Sequence, residues 1–510
     1  MKKYWKRIVT SFLALTLLVS SVAFVNYSSN VQASENQRNT EFTKVVKNQG
    51  VKAPKYIFLF IGDGMSYPQV QAASYYMGAS ESNGGVKAKD LSFMNFPVAG
   101  SAQTYDSTSF CPDSASTATS ISTGHKTYSG TINMDTSMTI KYETIAEKLK
   151  KQLGYKIGII SSVNINHATP AAFYAHQASR NNYYEIGLEL IESGFDYFAG
   201  GALKNPTGNK KDQKDLYQLA KDAGYKVIKT QQDAKALKAD DGKSLVIAET
   251  LADSEAMSYE IDTKANEWKL ADYVKKGIEV LDGNSGFFMM VEGGKIDWAC
   301  HANDAASTIR DTIALNNAVN TAIEFYNKHP EETLILVTGD HETGGLTIGF
   351  AGTDYDTYLK NIENQKISYA KFDTDYVAQY KKNNTMFSQV LADIEKNFGL
   401  VPENKASSAA APTLVLTDYE YKKLLEAYNL TMNETKKLTQ EEYVNYGTYE
   451  PLTVTITHIL NNKSGIDFSS YSHTGIPVPV FALGNGAELF EGYYDNTDLF
   501  HNVAKLTQVR

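Results

Sequence analysis

Short apolar runs rich in β-branched and aromatic residues recur along the chain at residues 56–61, 156–161, 286–291, 333–338 and 478–483. The runs end at or beside Gly, Asp, Thr or His, and most give way to stretches with helical periodicity. This alternation predicts an α/β fold, with a mostly parallel central sheet covered by helices on both faces. In that architecture ligands collect beyond the carboxyl ends of the strands. The polar residues at those ends are therefore the first place to look for chemistry.

From residue 350 to 470 the pattern changes. This stretch is rich in Tyr, Asn, Lys and Thr, with an Ala/Ser/Pro segment at 406–412 and a helical pattern at 417–428. It reads as a large insertion, with residues 34–349 forming the first part of the core, led by a polar arm at 34–52, and residues 471–510 closing it. No internal repeat or low-complexity tract interrupts this organisation.

The N-terminus reads M-K-K-Y-W-K-R, then an uncharged apolar stretch at residues 8–25, then a polar run ending V-Q-A at 31–33. These are the three parts of an export signal, so residues 1–33 are predicted to be removed near Ala33. A retained anchor is the alternative, since the apolar stretch approaches spanning length. No later segment matches it. The mature protein is therefore expected in solution outside the cytoplasm, secreted or in the periplasm or cell envelope, without stable membrane insertion.

The chain has 510 residues, of which 42% are hydrophobic, which excludes a disordered or fibrous protein. Its 49 basic and 58 acidic residues give a net charge of −9. Four of the basic residues and none of the acidic ones lie in the first 33 positions, so the remainder is more acidic still. Such a body is a poor partner for nucleic acid or an anionic membrane. The two cysteines, Cys111 and Cys300, are too few for a disulfide framework but enough for one bridge after export. Both lie within three residues of candidate site residues, and the sequence leaves their pairing open.

The strand-end residues carry the chemical argument. Asp63 follows the first run between two glycines in G-D-G. Alone it reads as a turn cap. Ser114, in C-P-D-S-A-S-T, stands where a helix would begin, and a helix N-terminus favours an alkoxide or a phosphate ester. A plain capping role for Asp113 or Ser114 is the alternative, and the segment does not match the G-x-S-x-G elbow of esterases. The second run leads to N-I-N-H-A-T-P, where alternation predicts an extended segment with His167 and Thr169 on one side and Pro170 disfavouring helix. Arg180 follows in a chain that uses Lys as its default cation, and its planar fork suits two phosphate oxygens.

The run at 286–291 passes directly into E-G-G-K-I-D-W-A-C-H, which puts Glu292 at the strand end. Asp297 and His301, four residues apart, would share a helix face, a common way to hold two ligands on one divalent ion. T-G-D-H places Asp340 and His341 after the next run, and His473 in S-H-T-G precedes the last. Four acids and three imidazoles gathered at one sheet edge would be strongly desolvated or repel one another without cations. Bound metal is the economical explanation. Mixed Asp/His sets suit zinc, and an oxygen set of Asp, Glu and Thr with waters suits magnesium.

Taken in order, Asp63 in G-D-G, P-D-S-A at 112–115, H-A-T-P at 167–170 with Arg180, E-G-G-K-I-D-W-A-C-H at 292–301, T-G-D-H-E at 338–342 and S-H-T-G at 472–475 resemble the alkaline phosphatase family. The resemblance implies that family's three-layer sandwich and two zinc ions and one magnesium ion per subunit. It puts Asp297, His301 and His473 on the first zinc, Asp63, Asp340 and His341 on the second, and Asp63, Thr169 and Glu292 on magnesium. Ser114 would be the nucleophile and Arg180 the phosphate clamp. The best-known bacterial enzyme has an acid at the place of His167 and a Lys at that of Trp298. The His and Trp pair here is similar to the marine and cold-environment bacterial branch, where His167 would stand behind the ligands or draw a third zinc into the magnesium site. In that branch an extended loop grips the other subunit, so the 350–470 insertion implies a crown region and a homodimer.

The activity implied is hydrolysis of small phosphate monoesters to alcohol and inorganic phosphate through a phosphoserine, persisting or rising into alkaline pH. A sulfatase is disfavoured because Cys111 is followed directly by Pro112, with Ala115 where that family needs Arg. A phosphodiesterase is disfavoured by Arg180, and a non-catalytic metal-binding protein by the completeness of the set.

Overall fold

A computed structural model describes residues 53–433 and 438–510. The expected signal at 1–33 and the arm at 34–52 lie outside the described residues. Among the described residues there are fourteen strands: β1 Tyr56–Gly62, β2 Val98–Gln103, β3 Lys156–Asn164, β4 Tyr197–Gly201, β5 Lys226–Ile228, β6 Ser244–Ile247, β7 Phe287–Glu292, β8 Thr333–Gly339, β9 Glu342–Thr343, β10 Leu346–Ile348, β11 Ile466–Phe468, β12 His473–Thr474, β13 Val478–Gly484 and β14 Gly492–Asp495. Ten of them form one sheet in the order β14-β2-β13-β8-β1-β7-β3-β4-β6-β5. Neighbours in it are parallel except β13, which runs antiparallel to both β8 and β2.

The five expected runs are β1, β3, β7, β8 and β13. Four of them lie side by side as β8-β1-β7-β3, the centre of the sheet. Every residue of β1, β7 and β8 is buried, which is why these segments read as unbroken apolar runs. One face of β1 presents Tyr56, Phe58 and Phe60 to a cluster that includes Phe287, Met289, Val291 and Phe325. The Tyr56 ring meets Phe325 edge-on at 4.8 Å, and each such buried ring contributes on the order of 1.5–3 kcal/mol. The long helix Ala305–Tyr326, N-capped by Asp304, packs against β1 and β8 and against the helix Leu270–Leu281. The strands of this sheet missed in the sequence, β2, β4, β5, β6 and β14, are short or, like β2 (V-A-G-S-A-Q), poor in large apolar residues, and the two-stranded pairs β9–β12 and β10–β11, of two or three residues per strand, were missed as well.

Register sets up the site. Gly62 of β1 pairs with Gly339 of β8, Ile61 pairs with both Glu292 of β7 and Thr338 of β8, and Glu292 also pairs with Ser161 of β3. The carboxyl ends of the central strands are therefore level. Asp63, Glu292 and Asp340 emerge side by side from segments far apart in sequence.

The chain leaves the sheet after β8, and β10 pairs antiparallel with β11 while β9 pairs with β12, so the two ends of the 350–470 region are held together. Between them lies a separate hydrophobic cluster that includes Phe372, Tyr380, Ile394, Phe398, Leu424, Leu452 and Ile456. Both cysteines are free thiols, Cys111 exposed and Cys300 buried. Among the described residues no helix is long and apolar enough to cross a membrane.

Candidate active site

Ser114 is the first residue of the helix Ser114–Thr123, and Asp113 is its N-cap. Asp113 Oδ1 accepts from the backbone N–H of Ser116 at 3.0 Å and of Gly130 at 2.8 Å. Its other oxygen, Oδ2, accepts from Arg180 Nη1 at 2.8 Å. Burial acts to raise the Asp113 carboxyl, but the Arg180 charge and these N–H donors outweigh it and hold Asp113 ionised. One carboxylate thus caps the helix that begins at Ser114 and holds the Arg180 guanidinium. Asp113 was missed as a site residue, although its place beside Ser114 was a usable signal.

Ser114 Oγ lies 3.2 Å from His341 Nε2 and 3.5 Å from Asp63 Oδ1. His341 Nε2 is also 3.3 Å from Asp63 Oδ1 and 3.4 Å from Asp340 Oδ2. These three ligand atoms converge within reach of a single ion. Asp340 Oδ1 is fixed by the N–H groups of Gly64 and His341.

A second set forms beside it. The helix Lys295–His301 places Asp297 and His301 on one face, as their spacing predicts, with His301 Nε2 3.3 Å from Asp297 Oδ1. The β9–β12 pairing brings in His473, whose Nε2 is 3.1 Å from His301 Nε2 and whose ring stacks on His341 at 3.6 Å. His301 Nδ1 faces the Tyr471 carbonyl at 2.6 Å, and His473 Nδ1 faces the Pro112 carbonyl. With each Nδ1–H donated to a carbonyl, both Nε2 lone pairs are left for an ion.

The third set is Asp63, His167 and Glu292, so Asp63 is common to two clusters. Thr169 Oγ1 stands 3.3 Å from Asp63 Oδ2. His167 and Thr169 are not in an extended segment. His167 is the N-cap and Thr169 lies within the short helix Ala168–Ala171. Pro170 is tolerated because first-turn N–H groups have no intrahelical acceptor to lose. Glu292 Oε1 and His167 Nδ1 are buried and have no hydrogen-bond partner, as atoms awaiting a cation would be.

The electrostatics agree. Burial, with the charges of Asp297 and Glu292, pushes the Asp340 carboxyl up to about 8, and burial pushes Glu292 up to about 7. Burial holds His341 far below the usual imidazole range and lowers His167 to about 3. For Asp297 burial acts upward, but the three surrounding imidazoles outweigh it. Neutral imidazoles and destabilised carboxylates are the donor set that divalent cations relieve. Ser114, Arg180, His167, Asp297, Trp298, His301 and His473 line a common cavity of about 370 Å³.

The sequence profile of the alkaline phosphatase family matches residues 54–202 and 198–509, nearly the whole described chain. The chain belongs to the alkaline phosphatase family. This phosphatase is 29% identical over 469 residues to alkaline phosphatase 4 of Bacillus subtilis (strain 168), covering 90% of each protein. Its fold is similar to the crystal structure of the cold-active alkaline phosphatase from the psychrophile Shewanella sp., with a TM-score of 0.72 and 26% identity, covering 89% of this chain and 99% of that one. The alkaline phosphatase of the Antarctic bacterium TAB5 aligns with a TM-score of 0.60 at 26% identity, over 90% and 99% of the two chains. The resemblance to cold-environment bacterial enzymes thus extends to the fold. This phosphatase is a metal-binding enzyme that hydrolyses phosphate monoesters.

Proposed function

We propose that the chain is an exported, homodimeric phosphatase that works through a phosphoserine at Ser114, with two zinc ions and one magnesium ion per subunit. The observation that carries this reading is the convergence of three ligand sets and Arg180 around one serine hydroxyl. Asp297, His301 and His473 would hold one zinc, and Asp63, Asp340 and His341 the other. Asp63, Thr169 and Glu292 would hold magnesium, with His167 close enough to join them. When bound, the metals supply positive charge at the attacking and leaving oxygens of an in-line displacement and favour ionised oxygen nucleophiles.

The protein's own residues do the rest. Arg180, held by Asp113, binds the phosphoryl oxygens through its remaining N–H groups. Ser114 Oγ gives up its proton to solvent and attacks phosphorus, where the positive end of its helix favours the negative charge. The ester P–O bond breaks and the alcohol departs with a proton from solvent. Water then attacks the phosphoserine, releasing inorganic phosphate and restoring Ser114.

The test is hydrolysis of an aryl phosphate monoester and the matching diester at about pH 9, where water and serine bound near zinc are ionised. Mature wild type and Ser114→Ala are compared, each with zinc and magnesium supplied or chelated. Fast, chelator-sensitive monoester turnover that collapses in the mutant, with a 32P label or mass shift on Ser114 in the wild type, is the expected result. A diester preference would count against it.

A further inference from the structure

The cavity above Ser114 is larger than a phosphoryl group requires, and part of its lining has no task in phosphoryl transfer. Trp298, Tyr369 and Tyr449 contribute three partly buried rings to it. Tyr369 and Tyr449 come from the 350–470 region of the same chain, and their rings meet nearly perpendicular at 5.8 Å. Such rings have little to offer a phosphate dianion.

They are also held in place from behind. Lys295 is fully buried, with Nζ 2.6 Å from Asp253 Oδ1, 4.0 Å from the Tyr259 ring centroid and 4.5 Å from that of Trp298. Tyr259 Oη in turn donates to Tyr369 Oη at 3.1 Å. Asp253 belongs to a turn that lines the same cavity and is fixed in a strained conformation, with Ser254 and Glu255 at φ of 54° and 61°. Asn164 Nδ2 and the Ala202 N–H bond to its carbonyls. A buried cation and a strained turn used to fix aromatic rings beside a reactive centre mark a preorganised surface.

Resting on the hydrolytic reading of Ser114, we infer that these rings form a subsite for the alcohol portion of the ester, and that it takes a planar aromatic group. An aromatic ring entering among Trp298, Tyr369 and Tyr449 gains edge-to-face and offset contacts that an alkyl chain of similar reach does not. The Asp253 carboxylate in the lining disfavours alcohols that carry further negative charge.

The experiment pairs 2-phenylethyl phosphate with n-butyl phosphate, both esters of primary alcohols of similar basicity, so intrinsic reactivity does not decide the outcome. KM and kcat are measured on the full mature chain with zinc and magnesium supplied. Calorimetry gives the Kd of the non-hydrolysable 2-phenylethyl- and n-butylphosphonates. The wild type is expected to favour the phenyl compounds by about tenfold in both KM and Kd. That ratio should fall toward one in Tyr449→Leu and persist in Tyr449→Phe, which keeps the ring. Equal KM and Kd for the two series in the wild type would overturn the subsite while leaving the phosphatase reading intact. If the phosphonates show the preference but neither ester is cleaved, the subsite stands and the assigned chemistry falls.

Discussion

Arg180 Nη1 donates to Asp113 Oδ2 at 2.8 Å, and Asp113 is at the same time the N-cap of the helix that begins with Ser114. Arg180 and Ser114, the proposed phosphate clamp and nucleophile, are thereby tied through one carboxylate. Asp113→Ala should lose the clamp's orientation, lowering kcat/KM about 10- to 100-fold and weakening inhibition by inorganic phosphate. It should also cost about 1 kcal/mol of stability through the lost cap. Asp113→Asn keeps a capping oxygen and should lose affinity with less loss of stability. Steady-state kinetics and thermal unfolding of the pair check this, and an unchanged phosphate Ki in Asp113→Ala would contradict it.

In metal-free protein the two buried carboxylates Asp340 and Glu292 should draw stability down as pH rises, without opposition once pH passes the ordinary imidazole range, where the depressed His167 and His341 no longer add a gain. Asp340 at about 8 and Glu292 at about 7 hold their protons in the folded chain far above the unfolded values near 4. Between those limits the unfolded state releases protons first, so stability present below pH ~4 is lost progressively up to pH ~8. Cations that bind the ionised carboxylates should reverse this. The gain in Tm on adding zinc and magnesium to chelated protein is therefore expected to be larger at pH ~8 than at pH ~5; a gain that shrinks with pH would argue against these groups as ligands.

Gly64 is at φ +72°, and a Cβ there would lie 2.8 Å from Thr343 Oγ1 and 2.9 Å from the Asp297 Cα. Gly64→Ala should cost about 1–2 kcal/mol for the left-handed backbone alone. It should also displace Thr343, whose Oγ1 donates to Asp297 Oδ1 at 2.6 Å. Zinc content per chain after dialysis, read beside Tm, should fall. Full retention of metal would show that the site tolerates the shift.

Asp373, packed in the 350–470 region, is pushed up to about 7 by burial even though Thr453 Oγ1 donates to it. Its ionisation above that value costs folding energy, and stability it lends below pH ~4 is lost as pH rises toward 7. Asp373→Asn keeps an acceptor for Thr453 without the charge. At pH ~8 it should stabilise the protein by about 1–2 kcal/mol and flatten the pH dependence of urea unfolding. A destabilised variant at pH ~8 would mean that the buried charge is compensated.

The central strands were legible because full burial on both faces leaves an unbroken apolar run, as in F-F-M-M-V-E of β7. β2 and β5 were not, because they are largely exposed or half-buried, with one buried residue each, and so leave no apolar run to read. His301 could be placed with Asp297 from spacing alone, since a helix fixes that relation locally. His167 and Thr169 were misplaced into an extended segment, because a proline in a helix's first turn gives no local sign of being tolerated there.

The sequence by itself determined which side chains were available, which strand ends presented them and, through their order, the family. Those properties rest on local backbone geometry and on residue chemistry. Only the tertiary structure decided that Asp63, Glu292 and Asp340 emerge level with one another, that the β9–β12 pair stacks His473 on His341, and that Asp113 orients Arg180. It also decided that two tyrosines of the compositionally distinct 350–470 region reach the cavity above Ser114. These relations depend on sheet register and on chain segments that meet after long separations, and nothing in the local sequence encodes either distance.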